Sequence, residues 1–111
     1  MSENSSAASS ITLEGVWAME SAADLLKLLS DKLARLMAAD PGARPTDIDM
    51  SGVVDLDACG CQLLAVFLEE LRRRGLPPIP RGIRPEVAEK IALLGFSGAF
   101  DLLREPKEEA R

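Results

Sequence analysis

Six side chains between residues 47 and 61 have the chemistry to do more than pack: Asp47, Asp49, Asp55, Asp57, Cys59 and Cys61. Asp47 and Asp49 stand two apart, as do Asp55 and Asp57, and alternate residues of a strand project from one face. Each pair therefore has the spacing of paired catalytic carboxylates or of a cation site, although strand-end and turn chemistry accounts for them as well. Cys59 and Cys61 fall where a helix is expected to start, and a helix N-terminus favours thiolate, so a redox-sensing thiol is one reading. Two small buried residues is the other. C-x-C lacks the C-x-x-C spacing of dithiol oxidoreductases, and two ligands do not make a zinc site. The sequence contains no histidine, the commonest metal ligand and general base near neutral pH. Without histidine, a nucleophile motif or a glycine-rich phosphate loop, the chain reads as non-enzymatic, with no cofactor and no metal.

Composition narrows the partners. A chain of 111 residues with 47% hydrophobic and 28% charged content fits one small globular domain with a single core. Its net charge is -5, and no basic run is longer than Arg72-Arg73-Arg74, so counterion-release binding to nucleic acid is not expected. Residues 1–10 are serine-rich, without a basic start or an apolar run, and read as a flexible leader rather than a secretion signal. No apolar stretch reaches the ~20 residues that cross a bilayer, so membrane association would come through a partner. A cytoplasmic location follows, and free thiols suit a reducing compartment.

The elements that must position the aspartates and cysteines are legible by period. Residues 11–18 alternate around Gly15 and predict a strand, a tight turn and a second short strand. Ala22, Leu25, Leu26, Leu29, Leu33, Leu36 and Met37 recur at three or four residues, which predicts a helix over 21–38. Asp40-Pro41-Gly42 ends it. Residues 46–54 place Ile48 and Met50 on one side and Asp47, Asp49 and Ser51 on the other, the pattern of a strand with one face in water. A second helix buries Gly60, Leu63, Leu64, Phe67, Leu68 and Leu71 and is capped by Gly75. Arginines in its last turn complement the helix dipole, which explains the basic run without a binding role. Residues 76–83 carry Pro77, Pro78 and Pro80 and predict an edge or distorted strand. Pro85 opens a third helix through Val87, Ala88, Ile91 and Leu94, closed by Gly95. Phe96, Phe100, Leu102 and Leu103 add a short apolar segment, and 105–111 is a charged tail. The fold class is thus α/β, with a mixed sheet and helices chiefly on one face. Trp17 has two readings, a partner anchor or a cover for the end of the core.

Taken together, Asp49-Met50-Ser51-Gly52-Val53, Asp57-Ala58-Cys59-Gly60, Gln62-Leu63-Leu64 and Leu93-Leu94-Gly95-Phe96 resemble the STAS domains, the family of anti-sigma-factor antagonists. The resemblance spans residues 11–104 and implies a single domain with a mixed sheet of four to five strands. In that family a strand ends in an acidic residue, a Ser or Thr starts the next helix, and a kinase partner phosphorylates the hydroxyl to break the complex. Asp57 matches the acidic residue. Ala58 occupies the phospho-acceptor position and has no oxygen to phosphorylate, so the usual switch is absent. Gln62-Leu63-Leu64 looks like members associated with chemotaxis-type signalling. The proline-rich segment departs from the family's smooth apolar strand.

The function this implies is protein docking. A helix start exposes unpaired amides that attract a partner group, and the small residues Ala58 and Gly60 let another backbone come close. The expected partner-binding residues are Asp55, Asp57, Ala58, Cys59, Gly60, Cys61 and Gln62. The expected partner is an anti-sigma-type or chemotaxis-type kinase. An alternative from another class is a STAS subunit supporting the ATPase of a lipid-transport ABC complex.

Overall fold

Buried apolar positions alternating with exposed or half-buried ones along the two longer strands set the architecture. The computed structural model describes residues 9–39 and 45–100. Strand β1 (Ser9–Trp17) leads through a 3-10 turn (Met19–Ser21) into helix α1 (Ala22–Ala39). Strand β2 (Thr46–Leu56), helix α2 (Ala58–Arg73), strand β3 (Pro78–Arg81) and helix α3 (Pro85–Leu93) follow. The sheet order is β1-β2-β3, and both pairings are parallel. Parallel neighbours need a crossover, and α1 and α2 supply it.

Ile11, Leu13 and Trp17 of β1 and Ile48, Met50, Val53 and Leu56 of β2 are buried in one cluster with Leu29 and Leu36 of α1 and Cys61, Leu64, Phe67, Leu68 and Leu71 of α2. Thr12 and Glu14 are exposed on the strand positions between, and Asp47 and Asp49 are half-buried. Asp47 is held across the sheet by Arg81, whose Nε donates at 2.9 Å. The alternation expected for 46–54 is therefore present, and the strand runs two residues further than expected, to Leu56. Leu26, expected in the buried stripe of the first helix, is 55% exposed.

Two expectations are not met among the described residues, for one reason. Residues 11–18 do not form a hairpin; β1 is continuous and lies parallel to β2 over its whole length. Gly15 has φ of +90°, but it marks a register slip rather than a reversal. Thr12 faces Asp49 and Glu14 faces Gly52, then Gly15 faces Val53 and Val16 faces Asp55, so β2 carries one extra residue at each step. Such bulges keep one face buried where strict alternation would turn it outward. They allow Val53 and Leu56, three apart, both to enter the core. A hairpin would have supplied the antiparallel strand of a mixed sheet. Without it the described residues hold three parallel strands, not a mixed sheet of four or five.

The helix ends follow their sequence signals. Gly75 (φ +79°) and Gly95 (φ +89°) each sit just past a helix in the left-handed region. The amide of Leu76 donates to the carbonyl of Leu71 at 2.9 Å and that of Phe96 to Ile91 at 3.0 Å, closing both helices with the bond pattern that glycine there permits. The proline segment is a four-residue edge strand among the described residues, as its missing donors require. Arg73 and Arg74 pair with Glu70, and Arg72 pairs with Glu69 and donates to the carbonyl of Ala99 at 3.1 Å. Exposed pairs of this kind contribute about 0.3–0.5 kcal/mol each, so the run trims the helix end. Phe96 is half-buried and Phe100 buried. Leu102, Leu103, the Asp40-Pro41-Gly42 stop, the charged tail and the first eight residues lie outside the described residues.

Candidate functional site at the start of the second helix

The end of β2 and the start of α2 are built on one carboxylate. Asp57 is the N-cap of α2, with extended backbone angles of φ -117° and ψ -173°. Its Oδ1 accepts from the amide of Gly60 at 2.9 Å and its Oδ2 from the amide of Met19 at 3.0 Å. Its own amide donates to the carbonyl of Trp17 at 3.0 Å, and its carbonyl takes the amide of Cys61 at 2.9 Å. One residue thus satisfies orphan amides of α2 and ties the end of β1 to the end of β2. The Gly60 amide, then the Met19 amide, holds the Asp57 carboxyl below its ordinary value of 3.8.

Gly60 is required by the same joint. A Cβ on Gly60 would lie 1.9 Å from the carbonyl oxygen of Trp17 and 2.5 Å from its carbon, against ordinary contact near 3.4 Å. The helix passes so close to β1 that only hydrogen fits. The close backbone approach expected for a partner at Gly60 is taken by the chain's own first strand. Trp17 is fully buried, and its Nε1 donates to the carbonyl of Glu14 at 3.1 Å. It covers the core's end, and the anchor reading is overturned.

The expected site residues divide by exposure. Asp55, Ala58 and Gln62 face solvent, Asp57 and Cys59 are half-buried, and Gly60 and Cys61 are buried. Ala58 and Gln62, one turn apart, share a helix face. Asp55 is engaged by Lys90 of α3, whose Nζ donates to Oδ1 at 2.7 Å, and by the Leu56 amide at 2.9 Å. The Lys90 hydrogen bond chiefly lowers its pKa. Burial pushes the Cys61 thiol up to about 11, with the Asp57 charge adding to it. That direction runs against a thiolate sensor at Cys61, where desolvation opposes the dipole's pull.

The paired-carboxylate reading also dissolves in the geometry. Asp47 serves Arg81, Asp49 accepts from the amide and hydroxyl of Ser51 at 3.0 and 2.7 Å, Asp55 serves Lys90 and Asp57 caps α2. Among the described residues no group of three or more His, Cys, Asp or Glu is placed to hold a metal ion. Nor is any helix there long and apolar enough to cross a membrane.

An apolar rim of Met19, Val16 and Val54, which periodicity does not reveal, lies beside Asp57 and Asp55. Met19 is 68% exposed beside Asp57, while Val16 and Val54 lie at the strand ends next to Asp55. Leu93 and Leu94, one turn beyond Lys90, are exposed at the end of α3. Exposed apolar side chains of this kind are candidates for contact with a partner.

The arrangement has a family counterpart, for the family model of the STAS domain matches residues 11–110. The chain belongs to the STAS domain family. Its fold is similar to that of a sulfate transporter family protein from Wolinella succinogenes, with a TM-score of 0.60 and 19% identity, over 84% of this chain and 70% of that one. It is similar also to the murine Solute Carrier 26 family member A9 anion transporter in its inward-facing state, with a TM-score of 0.70 and 18% identity. That match takes in 86% of this chain but only 15% of the transporter. No curated protein sequence matches. At these identities the structural likenesses speak for the STAS fold.

Three expected outcomes test the frame. Gly60→Ala must displace the Trp17 backbone, so it should lower stability by about 2 kcal/mol or more and Tm by roughly 8 °C; a thermal melt that matches the wild type would contradict the contact. Folded Asp57 binds a proton less readily than unfolded Asp57, so its contribution is complete above the ordinary 3.8 and is lost as pH falls through the lower folded value. Urea midpoints should hold from neutral pH and drop below about pH 4, with a shallower drop in Asp57→Asn. Asp49 and Asp55 are also held low, so some slope remains. Cys61 should alkylate at neutral pH far more slowly in the folded protein than in urea, and equal rates would contradict its burial.

Proposed function

We propose that this STAS domain is a non-enzymatic regulatory module that docks a protein partner through residues 55–62 and the apolar rim beside them. The observation that carries the reading is a split within one turn of helix. Asp57, Gly60 and Cys61 form a frame whose polar groups are satisfied inside the chain, whereas Ala58 and Gln62 face outward next to Met19, which is 68% exposed. Rigid support beneath an open, partly apolar surface is what a docking site requires. STAS domains as a family mediate protein–protein interaction.

Ala58 sets the regulation in this reading. It is the first residue of α2 and exposed, so a hydroxyl there would be open to a kinase. Alanine offers no oxygen, and the tip stays in the unmodified, binding-competent state. A phosphate at this position would add about -1.5 to -2 charges beside the ionised Asp57. The partner in this reading is an anti-sigma-type or chemotaxis-type kinase, met in the cytoplasm.

A second reading is favoured by one observation: both solved structures described above are transporter proteins that carry this fold. In this reading the tip of this chain would support the ATPase of a transport complex, as in a lipid-transport ABC complex. Affinity capture with the wild-type chain beside Ala58→Glu separates the readings. An acidic residue suits a helix start, so the variant keeps its fold while it should bind its partner at least about tenfold more weakly, the effect of ~1.4 kcal/mol. A kinase retained only by the wild type supports signalling, an ATPase with membrane subunits moves the function to transport, and equal retention by both baits overturns the tip as the interface.

A further inference from the structure

The two edges of the sheet are treated differently. The β3 edge is four residues long and carries Pro78 and Pro80, the usual protection against a strand from another chain. The β1 edge is nine residues long, contains no proline, and pairs with no strand among the described residues. Its exposed side chains, Ser10, Thr12, Glu14 and Val16, include no lysine to discourage pairing.

Above that edge α1 carries a stripe that points away from α2. Asp24, Leu28, Lys32 and Arg35 follow at helical spacing and fall within one face. Lys32 and Arg35, with Leu36, Ser10 and Ile11, line a groove between the helix and the outer edge of β1. Leu28 is 38% exposed. Asp24, Lys32 and Arg35 make no ion pair among the described residues.

The stripe is its own complement. A two-fold axis through Leu28, running two α1 helices antiparallel, sets Asp24 of one copy against Lys32 of the other, because each stands four residues from Leu28. The two leucines meet at the centre, and the same axis brings the two β1 edges together antiparallel. We propose that the chain forms an isologous homodimer through β1 and α1, with one continuous sheet across both copies. The occupant of the open edge is a second copy because the charge order of α1 matches itself under a two-fold rotation. The docking tips at the α2 starts then lie at opposite ends of the dimer, both free.

Sedimentation equilibrium of the 111-residue chain over a wide concentration range is the test. The wild type should dimerise, and Asp24→Lys or Lys32→Asp alone should raise the dissociation constant at least about tenfold by turning two attractive pairs repulsive. The double variant, with both changes in one chain, restores opposite charges across the axis and should return the constant to near the wild-type value. Leu28→Glu should weaken the dimer as well, with circular dichroism confirming the fold of every variant. A monomer at all concentrations overturns the proposal, and so does a dimer that ignores the single charge reversals or is not rescued by the double one.

Discussion

The backbone of Trp17 and the start of α2 cannot be separated by even one methyl group, and the domain is organised around that contact. The parallel sheet brings the carboxyl ends of β1 and β2 side by side. Asp57 then grips both, with its amide on the Trp17 carbonyl and its carboxylate on the Met19 and Gly60 amides. The 3-10 turn into α1 begins at Met19, so the same carboxylate sets where both crossover helices start. Charge-assisted bonds from backbone amides are about twice as strong as neutral ones, and here they act at a point through which three elements pass.

A frame of this kind separates stability from recognition along the sequence. In α2, Gly60, Cys61, Leu64, Phe67, Leu68 and Leu71 face inward, and Ala58, Gln62, Val66 and Glu69 face outward. Changes on the first set disturb the core and the joint; changes on the second set leave both intact and act on whatever covers the surface. Cys61 illustrates the inner set. Its position near a helix N-terminus favours thiolate, but desolvation together with the Asp57 carboxylate reverses the outcome, since the dipole is worth little against loss of water.

Much of this was legible in the residues. Apolar period three to four located all three helices, Gly75 and Gly95 marked two ends, and prolines 77, 78 and 80 announced a poor strand at an edge. The aspartate before Ala58 was readable as the acidic residue that ends the strand, but its capping of α2 was not. Less legible were features that depend on where two segments meet. Gly15 between alternating residues looks the same in a hairpin and in a strand whose neighbour bulges, and only the position of β2 decides between them. Gly60 reads as a small residue inviting a partner until the Trp17 carbonyl is found in the space its Cβ would take. The exposed Met19, Val16, Val54 and Leu93 have no periodic signal, because they come from four different segments.

The position of Ala58 completes the physical argument. Its side chain is at the first residue of the helix, next to a carboxylate whose two oxygens are already committed to amides. A second anion placed there would find the Gly60 and Met19 amides taken and an ionised neighbour in front of it. It would stay in solvent, repelled by that neighbour. On the docking reading, occupancy of the tip is then set by the partner's concentration and by the apolar rim, not by the charge of this helix start.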